Sequence, residues 1–281
     1  MSGIAWLGDD ACHDPATVGA KAAHLSRLSS IHLVPPGFAV TAVDASVPRE
    51  PALLSAIAAA YRRLRARTGL AAPPMAVRSS AVDEDGAGAS FAGQHETFLN
   101  VRGEEAVIAA FERCCASALS SVATQYRAQQ GLTTARPQIA VLVQQLVASE
   151  TSAVAFSANP ITGARDQVMV TAAWGLGESV VGGTVTPDLY VLGRPALRVL
   201  ERHISSKQVM TVLTEGGTTA DVPVPDALRD RSSLADSQLL EIGRLVVKLE
   251  RAMGWPVDVE CALAYDELYL LQCRPITALP G

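Results

Sequence analysis

The sequence predicts an α+β fold made of two subdomains. Its 281 residues are 49% hydrophobic and 18% charged, a globular composition with enough apolar side chains to build a core. At this length we expect two subdomains. Helix and strand patterns alternate up to about residue 139, and short strand patterns then dominate, followed by one helix and a hairpin. We therefore place the N-terminal subdomain at residues 1–147 and the C-terminal subdomain at residues 148–281.

The N-terminal half is predicted to hold three helices and two strands. In each helix, apolar residues recur every three or four positions, as an amphipathic helix requires. Gly69 and Gly131 are expected to end the second and third helices. The predicted helices cover 17–30, 52–67 and 104–130, and the predicted strands cover 38–41 and 75–78.

The C-terminal half is predicted to consist of short strands, one helix and a closing hairpin. The helix, at about 236–253, has a clear apolar stripe. The hairpin runs through 257–263, a turn at 265–267, and 268–274. The other strand candidates cover 139–147, 153–157, 167–172 and 189–192.

Composition argues against several kinds of partner. The net charge is −5 and no long basic run is present, so nucleic acid and an anionic membrane surface are poor candidates. No apolar stretch reaches the roughly 20 residues of a membrane span, and the N-terminus lacks the pattern of a signal peptide. The five cysteines have no C-x-x-C spacing, which favours buried thiols in a reducing compartment. We expect a cytoplasmic protein.

The hairpin carries the strongest chemical pattern. Because side chains alternate along a strand, Asp258 and Glu260 share one face. A three-residue turn would place Glu260 opposite Gln272, with Arg274 one pleat away. A carboxylate and an amide oxygen at that distance suit a hard cation such as Mg²⁺, and a guanidinium suits its phosphates. The alternative is an edge ribbon whose polar residues face water. The site also depends on the turn, because a two-residue turn would put Glu260 and Gln272 on opposite faces.

A Gly-rich loop follows the apolar strand that ends at Arg78. Glycines in the loop at 79–97 permit close approach of the backbone to a ligand, and such loops can present N–H groups to phosphate. The alternative is a solvated, flexible loop. The motif G-x-x-x-x-G-K-[ST] is absent from the sequence, so a P-loop NTPase is not supported.

Three further polar residues have plain alternatives. Lys21 lies in a helix, where a lone lysine is usually a solvated surface residue. Gln144 interrupts an apolar run, and its amide could meet either an adenine edge or a strand-edge partner. Glu178, in Gly175-Leu176-Gly177-Glu178, could equally be a surface acid after a turn.

Seven segments in one order resemble the ATP-binding domain of phosphoenolpyruvate synthase, pyruvate phosphate dikinase and rifampin phosphotransferase. The resemblance covers about residues 15–277 and implies an ATP-grasp fold, with two subdomains enclosing the nucleotide. The segments are VGAKAAHLSRL, VPPGFAVT, AVRSSAVDEDGAGASFAGQHETFLNV, VLVQQLV, AVAFSANPITG, GLGESVVGG and VDVECAL…LYLLQCRPIT.

The resemblance implies ATP and Mg²⁺ as cofactors and assigns residues to them. Lys21, Arg78 and Arg274 would contact the phosphates as catalytic residues. Glu260 and Gln272 would hold the magnesium ion and so contact the bound nucleotide.

The resemblance also implies contacts with other parts of the nucleotide. Gly93 and Thr97 would belong to the loop that covers the phosphates, and Gln144 would lie at the adenine side. Glu178 and Lys207 would be additional nucleotide contacts.

The implied chemistry splits ATP into AMP, free phosphate and a phosphoryl group on a carrier histidine. The Gly-rich T-S-H motif of the carrier domain is not in this sequence, so a separate histidine-carrier protein is the expected partner. Lys21 and Arg78 lie close in sequence for this family, which indicates a trimmed N-terminal subdomain. Cys261 stands where members of this family commonly have an aromatic residue, directly after the hairpin glutamate. The rival interpretations are a self-sufficient ATP-grasp ligase or small-molecule kinase, and a non-catalytic nucleotide-binding module.

Overall fold

The computed structural model describes residues 3–81, 97–120, 124, 136–277 and 279–280. The chain forms two compact units. The first comprises Met1–Leu146 and Glu215–Thr218, and the second comprises Val147–Thr214 and Thr219–Gly281. Each unit combines an antiparallel sheet with helices, so the predicted α+β class is confirmed.

The first unit is built on a five-stranded sheet with the strand order β1-β2-β5-β3-β4. Its strands are β1 (Ile4–Trp6), β2 (Gly37–Asp44), β3 (Met75–Ala81), β4 (Thr97–Val101) and β5 (Gln138–Gln145). Its helices are α1 (Pro15–Leu28), α2 (Pro51–Thr68) and α3 (Glu104–Ser117), and a 3-10 turn spans Asp10–Cys12.

The two faces of this sheet pack against different helices. Val77 of β3 points to one face, where it joins a buried cluster with residues of α2 and with Phe111 of α3. Arg78 and Ser80 point to the other face. There, the backbone N–H of Ala22 in α1 donates a hydrogen bond to the Ser80 hydroxyl at 3.3 Å. The strand alternation therefore separates an apolar core face from a face that carries polar residues beside α1.

Glycines interrupt one helix and end another in this unit. The φ angle of +76° at Gly19 interrupts α1, and Gly69 ends α2 in the left-handed conformation with φ +69°. The predicted continuous helix at 104–130 is wrong: α3 ends at Ser117, and a turn follows. Of residues 121–130, only Thr124 is described, in a helical conformation.

The second unit is built on a six-stranded sheet with the order β13-β12-β6-β7-β8-β9 and a separate two-stranded ribbon, β10-β11. Its strands are β6 (Thr151–Phe156), β7 (Gln167–Trp174), β8 (Asp188–Gly193), β9 (Arg198–His203), β10 (Val209–Leu213), β11 (Thr219–Pro223), β12 (Val257–Ala264) and β13 (Glu267–Pro275). Its helices are α4 (Glu178–Val181), α5 (Asp226–Arg229) and α6 (Asp236–Met253).

Helix α6 covers one face of the second sheet. It approaches β8 so closely that a Cβ on Gly243 would lie 2.8 Å from Cδ1 of Leu192. The strand register places Val259 and Cys261 of β12 on the same face of the sheet as Leu192. Asp258 and Glu260 alternate with these residues and therefore point away from α6.

The long periodic elements agree with their prediction and several short ones do not. The helices predicted at 52–67 and 236–253 correspond to α2 and α6 within one residue at each end. Strands β1, β4 and β9 to β11 were not predicted, and they are short or largely exposed. Among the residues that the structure describes, no helix has the length and apolar character needed to cross a membrane.

Candidate functional site

The β12–β13 hairpin places Glu260 directly opposite Gln272. The turn contains only two residues, Tyr265 and Asp266, rather than the predicted three. A β-bulge follows at Leu271, so that Cys261 pairs with Leu270 while Glu260 pairs with Gln272. The predicted pairing is therefore present, although the predicted turn is wrong, because the extra residue of the bulge offsets the shorter turn.

Arg274 lies on the same face of the ribbon as Glu260, and its side chain is bound by the carboxylate of Asp258. It pairs across the ribbon with Asp258, and its Nε donates a hydrogen bond of 2.8 Å to Oδ2 of that carboxylate. Burial raises the pKa of the Asp258 carboxyl, and the neighbouring guanidinium only partly opposes this. A cation with a low-dielectric environment on one side and a fixed orientation suits bidentate binding of phosphate oxygens.

The donor atoms of the hairpin fit a magnesium ion. Glu260 is half-buried and Gln272 is buried, and side chains on directly opposed residues lie within about 5.5 Å at Cβ. No group of three or more His, Cys, Asp or Glu residues able to hold a metal occurs among the described residues. Two oxygen ligands are too few for a complete protein cage. They suit Mg²⁺, which commonly takes one or two carboxylate-type ligands together with substrate phosphates.

Helix α4 lies on the same face of the second sheet as Glu260. The register places Glu260 opposite Val154, and Ser152 shares that face of β6. A Cβ on Gly177 would lie 3.5 Å from Cβ of Ser152, so the start of α4 rests on this face. Glu178 is exposed at that start, and its Oε2 accepts a hydrogen bond of 2.9 Å from the Thr219 hydroxyl.

Lys207, predicted as an additional nucleotide contact, lies in a buried ion pair. Its side chain is fully buried, and Nζ lies 2.6 Å from Oδ1 of Asp188 and 2.8 Å from the carbonyl oxygen of Ser205. Asp188 also accepts hydrogen bonds from the N–H and hydroxyl of Ser233. The register places Asp188 on the α6 face, opposite to the face of Glu260. The ammonium group of Lys207 is thus committed to a buried ion pair, and we leave Lys207 out of the candidate site.

Predicted residues of the first unit also share one sheet face. Arg78 pairs directly with Thr97 of β4, and Gln144 of β5 pairs with Ala76. Alternation puts all of these on the face that α1 covers. Arg78 is half-buried and Thr97 is exposed, so cationic and hydroxyl groups lie beside each other at this position.

Helix α1 brings Lys21 to the same strand. Nζ of Lys21 lies 3.4 Å from the carbonyl oxygen of Ser79, the residue after Arg78. The close approach depends on Gly19, because a Cβ there would lie 1.9 Å from the carbonyl oxygen of Ser80. Two predicted phosphate ligands, Lys21 and Arg78, therefore lie on α1 and β3, which pack closely against each other.

Gln144 is buried at the centre of the sheet. Its Nε2 donates a hydrogen bond of 3.2 Å to the carbonyl oxygen of Pro35, in the segment before β2. That bond fixes the orientation of the amide. The predicted phosphate-covering residue Gly93 lies outside the described residues, as does the rest of the loop at 82–96.

Three residues that position these groups were not predicted to do so. Asp258 was assigned to the correct face but not paired with Arg274; its signal was the i, i+2 spacing to Glu260 and the cross-strand position. Gly19 and Ser80 carried weaker signals: a glycine two residues before Lys21, and a serine two residues after Arg78. A glycine inside a helical pattern often marks a close approach.

Comparison with known proteins identifies relatives over nearly all of the chain. The family described as pyruvate phosphate dikinase, AMP/ATP-binding domain, matches residues 44–280. The probable phosphoenolpyruvate synthase of Methanocaldococcus jannaschii is 35% identical over 322 aligned residues, which cover 99% of this chain and 27% of that protein. The phosphoenolpyruvate synthase of Pyrococcus furiosus is 42% identical over 228 residues, which cover 78% of this chain and 28% of that protein.

This chain spans about a quarter of the length of these curated relatives. Among solved structures, D-alanine–D-alanine ligase from Bacillus anthracis aligns with this chain at 10% sequence identity and a TM-score of 0.39. The alignment covers 98% of this chain and 59% of the ligase chain.

Proposed function

The chain belongs to the pyruvate phosphate dikinase AMP/ATP-binding domain family, and from that premise we propose that it binds Mg-ATP and transfers a phosphoryl group to a histidine on a separate carrier protein. AMP and phosphate would be the co-products. Family membership identifies the α+β fold as an ATP-grasp module. The observation that carries the proposal is the opposition of Glu260 and Gln272 on one face of the β12–β13 ribbon, with Arg274 beside them.

We assign the hairpin to the metal and the phosphates. Glu260 and Gln272 would hold Mg²⁺, and Arg274 would bind phosphate oxygens in the orientation that Asp258 fixes. A bound Mg²⁺ offsets negative charge on the transferring phosphoryl group. Glu178, exposed on the same face of this sheet, would be a further nucleotide contact.

We assign the first unit to the triphosphate and the base. Lys21 and Arg78 would bind phosphate oxygens, with Thr97 beside Arg78. Gln144, whose amide is fixed by the Pro35 carbonyl, would lie at the adenine side. We propose residues 1–147 and 148–281 as the two ATP-grasp subdomains.

The proposed reaction consumes ATP, water and a histidine side chain, and it yields AMP, phosphate and phosphohistidine. Two phosphoanhydride bonds break, one phosphorus–nitrogen bond forms, and water supplies the oxygen for the released phosphate. Positioned cations accelerate such transfers because they stabilise charge that spreads over the phosphoryl oxygens. Lys21, Arg78 and Arg274 would supply this stabilisation.

Isotopically labelled ATP tests the proposal. The chain is incubated with Mg²⁺, a carrier protein that bears the Gly-rich T-S-H motif, and ATP labelled at either the β- or the γ-phosphate. We expect β-label on the carrier, γ-label as free phosphate, and AMP as the nucleotide product. The matched control is the carrier with its histidine replaced by alanine, which should take up no label.

The other outcomes separate the alternatives. Transfer of γ-label to the carrier with formation of ADP would show that the dikinase proposal is wrong. Consumption of ATP with a small-molecule acceptor and no second protein would favour a self-sufficient ligase or kinase. Tight binding of Mg-ATP without turnover would favour a non-catalytic nucleotide-binding module.

A further inference from the structure

A basic cavity lies between α6 and the turn that joins β8 to β9. Its volume is about 390 Å³, within the roughly 300–1,000 Å³ range of small-molecule sites. The cavity lies on the α6 side of the second sheet, whereas Glu260 points to the opposite face. It is therefore separate from the proposed nucleotide contacts of the hairpin. Its lining residues are Arg194, Pro195, Leu197, Arg244, Val247, Lys248 and Arg251.

Three of the cations in this basic cavity lie on one face of α6. Arg244, Lys248 and Arg251 follow the i, i+4, i+7 spacing that aligns side chains along a helix. All three are exposed, and none makes an ion pair or a hydrogen bond with any residue in the described part of the chain. Like charges at these spacings repel each other. A bound anion would relieve that repulsion.

The fourth cation is already neutralised. Nη2 of Arg194 lies 2.6 Å from Oε2 of Glu250, and Nη1 donates to the carbonyl oxygen of Ser157 at 3.0 Å. Arg194 therefore forms a fixed wall of the cavity. The cavity keeps three positive charges, on a chain whose net charge is −5.

The helix dipole does not account for the whole cluster. Arg251 lies in the last turn of α6, where a cation interacts favourably with the helix C-terminus. That effect falls off within the last turn, and Arg244 lies more than two turns before the end at Met253. The apolar side chains of Leu197 and Val247 also line the cavity.

We propose that the basic cavity binds a compact organic polyanion, with several phosphate or carboxylate oxygens held by Arg244, Lys248 and Arg251. The ligand's non-ionic part would rest on Leu197 and Val247. Phosphate esters and polycarboxylates share this chemistry. The site is independent of the proposed nucleotide site, and its occupancy does not require that the chain bind ATP.

Calorimetric titration of the full chain tests the proposal. Inorganic pyrophosphate and citrate are titrated separately, at low ionic strength and without divalent metal, so that the two arms distinguish phosphate from carboxylate. The cavity variant is Arg244→Gln, Lys248→Gln and Arg251→Gln combined. The control variant is Arg63→Gln, Arg65→Gln and Arg67→Gln combined, which removes the same charge from three exposed positions of α2.

We expect at least one probe to bind the wild type and the control variant with similar affinity. The same probe should bind the cavity variant at least about tenfold more weakly, because the loss of one hydrogen bond to a charged group weakens binding by about that factor. Added salt should weaken the binding. The single variant Lys248→Gln should show a smaller loss, and circular dichroism checks the fold of each variant. The proposal is overturned if neither probe binds the wild type, or if the two triple variants lose affinity equally.

Discussion

The Arg274 guanidinium is bound to the Asp258 carboxylate, with Nε and Nη2 each 2.8 Å from Oδ2. The acid is almost completely buried, and about a third of the arginine side chain is exposed. The contact fixes the guanidinium on the face of the ribbon that carries Glu260. A guanidinium oriented in this way can donate hydrogen bonds to phosphate oxygens with a smaller loss of side-chain freedom on binding.

Replacing Arg274 by alanine should weaken ATP binding more than AMP binding. The guanidinium is proposed to bind the outer phosphates, so a loss of about tenfold is expected for ATP and a much smaller one for AMP. Isothermal titration calorimetry with each nucleotide measures the difference. Equal losses for AMP and ATP would show that Arg274 is not a ligand of the outer phosphates.

The same substitution leaves the Asp258 carboxylate buried without its partner, which should cost about 1–3 kcal/mol of stability. The double variant Arg274→Ala/Asp258→Asn separates the two effects. It should recover part of the stability in urea unfolding while keeping the selective loss of ATP affinity.

Replacing Glu260 by alanine should remove the magnesium dependence of ATP binding. Glu260 is the proposed carboxylate ligand, and its side chain is half-buried rather than part of the core, so the fold should be retained. Titrations of ATP with and without Mg²⁺ measure the effect. Glu267→Ala is the matched control, because this exposed acid lies on the same ribbon near the turn. A Glu260 variant that keeps the full magnesium dependence would refute the assignment.

The hairpin shows how far alternation along a strand can predict a site. Alternation put Asp258 with Glu260 on one face and Gln272 with Arg274 on one face, and a predicted three-residue turn was needed to place both pairs on the same face. The structure has all four side chains on one face. The turn length was wrong by one residue. The bulge at Leu271 could not be foreseen, because it depends on how two strands pair rather than on the sequence of either one.

Helices with a strong apolar stripe were predicted well, and interactions between distant residues were not. The stripe in 236–253 is sufficient to define α6. Lys207, by contrast, forms a buried ion pair with Asp188, which lies 19 positions away in the sequence. No local pattern marks that pair. The helix at 104–130 was predicted too long because periodicity continued past Ser117, where the chain turns instead.

Lys207→Met should destabilise the second unit without a direct effect on nucleotide affinity. Removing one partner of a fully buried ion pair leaves an unbalanced charge on Asp188, which costs about 3–5 kcal/mol. Urea unfolding measures the loss, and ATP titration of the folded variant tests for a nucleotide role. Gln208→Met, at the exposed next position, is the control and should change stability by less than about 0.5 kcal/mol. Abolished ATP binding in a folded Lys207 variant would restore Lys207 to the nucleotide site.

Asp258 should make stability rise as the pH falls. Burial raises the pKa of its carboxyl above the ordinary value of 3.8, in spite of Arg274. Between pH 3.8 and the raised native pKa, the folded state binds more protons than the unfolded state. The contribution of Asp258 to stability therefore increases on acidification through that window, and it is complete below it. The difference in unfolding free energy between wild type and Asp258→Asn, measured from pH 7 to pH 4, should move in favour of the wild type. A constant or opposite difference would contradict the burial argument.

The two-residue turn of the hairpin offers a stabilising change. Tyr265 and Asp266 have φ angles of +55° and +60°, the left-handed pair that a type I′ turn needs. Asn-Gly adopts this pair with less strain, and the left-handed conformation costs an ordinary L-residue roughly 1 kcal/mol. The double variant Tyr265→Asn/Asp266→Gly should therefore raise the unfolding free energy by about 1 kcal/mol, since Tyr265 is exposed and contributes little packing.

The magnesium-dependent ATP affinity of this double variant should equal that of the wild type, because the register from Glu260 to Gln272 is set beyond the turn by the bulge at Leu271. A stabilised variant with lost ATP affinity would mean that the turn residues, and not the bulge, hold that register.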